Sequence, residues 1–204
     1  NRKSVLNSCN TLMQVMDNQP YQFCLHHSKK ELQALEQFKH RTFNATDLLY
    51  CIAFFKQHFT QHLSLEIAFT QWMNKKDETV ENGLTGFHHY FFSLQDFPER
   101  TRKHIASPQK KSACKRLNMY LRWMVRQDNK GVDLGIWKSI SPAALSCPLD
   151  VHSGNVARKL GLLHRKQNDA KALTELDTQL RILDPNDPVK YDFALFGLGV
   201  FEGF

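Results

Sequence analysis

Residues 112–163 read SACKRLNMYLRWMVRQDNKGVDLGIWKSISPAALSCPLDVHSGNVARKLGLL. Two stretches of helical periodicity frame this segment. From Cys114 onward, Leu117, Met119, Tyr120, Trp123 and Met124 form a broad apolar face, with Trp123 expected in the core. Asp128-Asn129-Lys130-Gly131 stops that helix, the glycine serving as its C-cap. Ser139-Ile140-Ser141-Pro142 opens a short helix that ends before Cys147-Pro148. Asp150 or Ser153 then caps a helix over Val151–Leu163, because an oxygen there accepts the unpaired amides of the first turn. Lys115 and Asp150 therefore each stand at a helix start, 35 residues apart. A lysine and an aspartate so placed can meet across a cleft.

The approach to Lys115 is strongly basic. Residues 99–116 hold seven Arg or Lys against one Glu: Arg100, Arg102, Lys103, Lys110, Lys111, Lys115 and Arg116 face only Glu99. Ser107-Pro108 makes a turn just before the helix, and helix-start amides beside lysines form a phosphate-binding corner. A solvated basic loop has the same composition.

Outward from this segment the chain keeps its helical period. Val5, Leu6, Cys9, Leu12, Met13, Val15 and Met16 mark a first helix that stops at Asp17-Asn18-Gln19-Pro20. Ser28-Lys29-Lys30-Glu31 has the spacing of a capping box and predicts a helix through about Phe38. Asp47 to Phe55 is apolar nearly all round, which marks a buried helix. Leu63–Met73 and Phe87–Phe92 read as two more. Asn168 or Asp169 starts a helix through about Ile182, Asp184–Pro188 is a turn, and a last helix follows over Val189–Val200. Gly197 and Gly199 in that last helix predict close backbone approach. No strand pattern stands out. The expected fold is all-α, with two interleaved helical lobes and a cleft between them. About 1–105 would form an N-terminal lobe, and about 106–204 the hairpin, the Asp150 region and the C-terminal helices.

Composition narrows the function. Lys and Arg number 27 against 20 Asp and Glu, for a net charge of +7, which favours a polyanionic partner, nucleic acid first. The five cysteines are widely spaced with no C-x-x-C, so they read as reduced thiols of a cytoplasmic protein. His58 and His62 lie four apart, but no Glu follows in the zinc-peptidase pattern, and no metal or other cofactor is expected. No apolar run approaches a membrane span. The sequence starts at Asn1, without Met and inside an apparent helix, so an upstream segment is expected.

The motifs resemble those of a known superfamily. A lysine opening a helix, followed by Pro148-Leu149-Asp150-Val151-His152, is similar to the helix-hairpin-helix DNA glycosylases. The last helix, Tyr191-Asp192-Phe193-Ala194-Leu195-Phe196-Gly197-Leu198-Gly199, resembles that superfamily's glycine-ended C-terminal helix. The Lys115–Asp150 separation looks more like the archaeal 8-oxoguanine glycosylase branch than the bacterial endonuclease III type. The usual Leu-Pro-Gly-Val-Gly hairpin is absent, since Ser107–Cys114 holds no glycine, and so is the four-cysteine cluster loop. The whole chain also resembles an uncharacterised bacterial domain family, in which the Cys-Lys-Arg-Leu-Asn, Pro-Leu-Asp-Val-His-Ser-Gly-Asn-Val and Phe-Gly-Leu-Gly-Val-Phe-Glu runs recur.

The glycosylase resemblance implies base excision with β-lyase activity, on an oxidised purine such as 8-oxoguanine in double-stranded DNA. The base must be flipped out, because C1′ is shielded in the duplex. Lys115 would be the nucleophile, as the free amine, and Asp150 would take its proton and stabilise positive charge on the sugar. Lys110, Lys111, Arg116, His152 and Ser153 would contact DNA. Asp192, Phe196 and Trp137 are the candidate lesion-pocket residues. The protein would act as a monomer in the cytoplasm, bound to the nucleoid when on DNA. Two other readings compete: a helical nucleic-acid-binding module without chemistry, and a helical scaffold whose basic face binds an acidic protein.

Overall fold

Caps written in the sequence set most of the helix starts in the computed structural model, which describes residues 2–204. Helix α1 (Arg2–Val15) ends where Asp17 and Asn18 both turn left-handed, and Pro20 opens α2 (Pro20–His26). Ser28 and Glu31 form the expected capping box, but α3 (Lys29–Gln33) stops short of Phe38. A two-residue ribbon follows, β1 (Lys39–His40) antiparallel to β2 (Phe43–Asn44), too short for any alternation to announce it. A second capping box, Asn44 with Asp47, starts α4 (Ala45–Gln61).

The stretch read as a helix over Leu63–Met73 forms only α5 (Glu66–Thr70). Helix α6 (Glu81–Phe91) carries Gly83 and Gly86 inside it. Gly86 is there for clearance: a Cβ would lie 2.0 Å from Trp72 Cγ. Two 3₁₀ turns (Glu99–His104 and Pro108–Lys110) lead to α7 (Lys115–Val125). A third (Pro142–Ala144) precedes α8 (Val151–Lys159) and α9 (Ala170–Leu183). A fourth (Pro188–Tyr191) runs into α10 (Asp192–Phe201). The fold is all-α, as its periodicity predicts.

The chain divides into two compact units, each built from two separate segments. The first runs to Ile67 and resumes over Tyr90–Ile105. Met16, Phe23, Leu35, Leu48 and Ile52 form one part of its core. Phe54 packs on Phe91 with ring centroids 4.7 Å apart, and Tyr50 donates to the Phe91 carbonyl at 2.6 Å. Asp47, fully buried, is held by Arg100, Thr101 and His104. Part of the basic run is thus spent on folding: Arg100 binds Asp47, Asn44 and the Thr42 carbonyl, while Arg102 pairs with Glu99 and lies over Phe97.

The second unit comprises Ala68–His89 and Ala106–Phe204. Residues 68–89, which a division at 105 leaves with the N-terminal half, belong here. Its core gathers Cys147, Leu149, Val156, Ala157, Leu163, Leu176, Leu180 and Leu195. An aromatic group of Phe69, Phe87, Tyr120 and Trp137 packs beside it. Trp123, expected in the core, is 41% exposed, since the buried face of α7 runs instead through Asn118, Leu121, Arg122 and Val125.

Candidate functional site

The site is built along one stripe of α7. Lys115, Arg122 and Arg126 lie at i, i+7 and i+11, a spacing that keeps them on one helical face. Each meets a carboxylate from a different element. Lys115 Nζ donates to Asp150 Oδ2 at 2.8 Å. Arg122 pairs with Asp192 at the start of α10, and Arg126 Nε lies 2.9 Å from Asp187 Oδ2. Asp133 Oδ2 joins the two arginines, at 3.1 Å from Arg122 Nη2 and 2.6 Å from Arg126 Nη1. Arg122 is almost wholly enclosed, with Phe193 stacked 3.9 Å from its guanidinium carbon. Burial raises the Asp192 carboxyl, although the Arg122 charge opposes the shift.

The Lys115–Asp150 pair differs from its neighbours in exposure. The lysine side chain is 46% exposed and the aspartate side chain 10%. An ion pair this open contributes about 0–1 kcal/mol, so stability alone does not account for it. Asp150 has two tasks, one per oxygen. Oδ1 accepts from the Ser153 N–H at 2.9 Å and caps α8, while Oδ2 accepts from Lys115. Burial pushes the Asp150 carboxyl up, but the Lys115 ammonium and the Ser153 bonds outweigh it, so the group sits below the usual carboxylate range.

The turn that delivers Lys115 has no glycine but bends as if it had. Lys111 and Cys114 both adopt left-handed backbone, with φ of 59° and 47°. Non-glycine residues resist that conformation, at about 1 kcal/mol or more each. Cys114 is the N-cap residue of α7 and is buried, its thiol pushed up to about 11 by burial.

The other candidates separate into three groups. Lys110, Lys111 and Arg116 are exposed. His152 is exposed beside the pair, edge-on to Phe196 at 5.9 Å, and Phe196 is 38% exposed. Ser153, expected on DNA, and Asp192 and Trp137, expected in a lesion pocket, are instead engaged in structural contacts. Ser153 is fully buried, and its hydroxyl accepts from the Asp150 N–H at 2.9 Å, so it holds Asp150 and offers nothing to DNA. Asp192 is 4% exposed and saturated by Arg122 and the Cys147 thiol. Trp137 is 4% exposed, packed against Phe69 and Tyr120, with no face open to a base. Of the two glycines expected at a close approach, Gly199 meets the His152 carbonyl, at 3.0 Å from an added Cβ, whereas Gly197 faces open space.

Asn168 completes the surroundings of Asp150. Its amide Nδ2 donates to the Asp150 carbonyl at 2.8 Å, and Arg158 Nη2 donates to its Oδ1 at 2.6 Å. The only sequence signal at Asn168 was a helix start, and its partner lies 18 residues away.

One feature stands apart from the pair. A groove of about 570 Å³ runs along α9, walled by Glu78, Glu81, Ser146, Asp177 and Arg181 among others, and neither Lys115 nor Asp150 lines it. Among the described residues, no three His, Cys, Asp or Glu side chains converge as metal ligands. None of the described helices is long and apolar enough to cross a membrane.

Fold and site together define an all-α protein with a lysine–aspartate pair set where two helices begin. A family model matches residues 1–201, and the chain belongs to that family, described as Protein of unknown function (DUF2400). No curated protein and no solved structure matches the chain.

Proposed function

We propose that the protein is a DNA base-excision glycosylase with β-lyase activity, acting on an oxidised purine such as 8-oxoguanine in duplex DNA. One observation carries the reading: Lys115 and Asp150, 35 residues apart, meet at 2.8 Å with the lysine side chain 46% exposed. The resemblance of Pro148–His152 to the glycosylase superfamily supports the same pair, as does the net charge of +7.

In this mechanism Lys115 passes a proton to Asp150, and its free amine attacks C1′ of the flipped nucleotide. The glycosidic electron pair leaves with the base, which takes the proton from Asp150, so that Asp150 is again ionised beside the positive charge on the sugar. The C1′-bound amine then gives up its second proton to O4′ as the C1′–O4′ bond breaks, which leaves the protonated Schiff base. Removal of a 2′ proton expels the 3′ phosphate, and the strand is nicked. Lys110, Lys111, Arg116 and His152 hold phosphates, and Phe196 offers an aromatic face to the extruded base. The partner is damaged double-stranded DNA, and the chain acts as a cytoplasmic monomer.

The test is base release and strand nicking on duplexes carrying 8-oxoguanine or an abasic site. Nicking that is lost in Lys115→Gln supports the reading. Salt-dependent DNA binding with no release across a panel of lesions contradicts it and favours the non-catalytic nucleic-acid-binding module. Absent or salt-insensitive DNA binding contradicts both.

A further inference from the structure

The short strap at residues 168–170 touches both elements that carry the pair. On one side the Ala170 N–H donates to the Lys111 carbonyl at 3.0 Å, and Ser112 and Asp169 form an antiparallel bridge. These bonds fix the chain three to four residues before Lys115. On the other side Asn168 Nδ2 donates to the Asp150 carbonyl at 2.8 Å. The strap itself is anchored: Asp169 caps α9 through the Ala172 N–H at 3.1 Å and is gripped by Arg165. Arg158 Nε holds the Arg165 carbonyl at 2.8 Å, and its Nη2 orients the Asn168 amide.

The first turn of α8 is shaped to receive that amide. Gly154 sits in the helix with no left-handed demand, yet a Cβ there would lie 2.8 Å from Asn168 Oδ1. A glycine in a helix interior costs about 1 kcal/mol against alanine. Here the missing Cβ leaves room for Asn168 against the residue that caps the helix. The arrangement closes a loop from Arg158 on α8, through Asn168, back to Asp150 at the start of α8.

We infer that Asn168 is a positioning residue: with the Ala170 and Asp169 contacts to Lys111 and Ser112, it sets the separation of the Asp150 carboxylate from the Lys115 amine. The inference rests on the lysine–aspartate chemistry proposed above. Groups carried on two separate elements are free to shift relative to one another, and a displacement of about 1 Å costs on the order of 100-fold in rate. One strap bonded to both elements removes that freedom.

Asn168→Asp and Asn168→Leu test the role. The aspartate keeps an acceptor for Arg158 and loses the donor to Asp150; the leucine loses both. On abasic duplex under single-turnover conditions, both variants should form the borohydride-trapped adduct on the order of 10- to 100-fold more slowly than wild type. Their DNA dissociation constants should stay within about twofold, since Asn168 touches no proposed phosphate ligand. A purely structural role would instead lower stability and affinity together. The second readout needs no activity: carbon-13 titration of the Asp150 carboxyl in wild type and Asn168→Leu. Lys115 from α7, Ser153 from α8 and Asp192 from α10 are the groups that act on it. Its midpoint should move upward in the variant as Lys115 drifts away. Asn168→Asp supplies the rate comparison if Asn168→Leu does not fold. Wild-type rates with an unmoved midpoint overturn the positioning role and leave the glycosylase reading standing. No adduct from wild type on any lesion overturns the glycosylase reading, and the carboxyl midpoint then decides the role of Asn168 by itself.

Discussion

Ser153 N–H and Lys115 Nζ take different oxygens of the Asp150 carboxylate, Oδ1 at 2.9 Å and Oδ2 at 2.8 Å. Capping and chemistry are therefore separable by mutation. Asparagine caps a helix about as well as aspartate, and alanine does not. Asp150→Asn should keep stability within about 1 kcal/mol of wild type yet abolish strand nicking. Asp150→Ala should lose nicking and a further ~1 kcal/mol of stability. Urea unfolding beside a nicking assay reads both. Wild-type nicking by Asp150→Asn would remove the carboxylate from the mechanism.

Gly154→Ala probes the strap from the other side. The atom that an added Cβ strikes is the tip of Asn168, so the asparagine swings away and the fold survives. Alanine also favours helix by up to about 1 kcal/mol. Unfolding should thus change by less than ~1 kcal/mol, while single-turnover adduct formation falls. An unchanged rate would mean that Asn168 does not govern the pair.

Lys111 couples strain to charge. Its left-handed backbone suits glycine, so Lys111→Gly should raise stability by about 1 kcal/mol. The same change removes one exposed cation near the pair. DNA affinity should fall, and the slope of log affinity against log salt should lessen by about 1. Stability that drops would show that Lys111 makes a contact worth more than its strain.

Asp177 gives a pH signature opposite to that of Asp150. Burial pushes its carboxyl up to about 6, against the pull of the Cys147 N–H, Ser146 and Arg181. A carboxyl raised in the folded state is a liability once ionised, so it costs stability as pH rises from about 4 to above 6. Asp177→Asn should therefore gain in stability relative to wild type as pH rises from about 4 through 6 to 7, with the difference shrinking again toward pH 4. Asp150, held below its usual range, contributes stability at neutral pH that is lost as pH falls through its folded value. Unfolding curves for Asp177→Asn and Asp150→Asn beside wild type across pH 3–8 check the two signs. An advantage for Asp177→Asn that grows toward pH 4 would reverse the assignment.

The pair was legible in the sequence because both members sit at helix starts, where local rules are strong. An aspartate just before a helical run marks an N-cap, and the basic turn marks the start of α7. The partners that pin the pair were harder to read. Ser153 reads in the sequence as a cap or a DNA contact, but three residues after an aspartate cap a serine hydroxyl turns back onto the cap. Asp192 and Trp137 carried pocket chemistry in their side chains, and only packing reveals that Arg122 and Phe69 claim them. Asn168 gave no signal beyond a helix start, since its bond to Asp150 depends on how α8 and the strap before α9 come together. The ribbon at 39–44 was too short for periodicity to detect.

The most direct test of the central claim is where borohydride leaves the DNA. The protein is incubated with a duplex carrying 8-oxoguanine or an abasic site, reduced, digested, and the cross-linked peptide sequenced by mass spectrometry. The account predicts one reduced adduct, on Lys115, that disappears in Lys115→Gln. An adduct on another lysine, or none on any lesion, would contradict it.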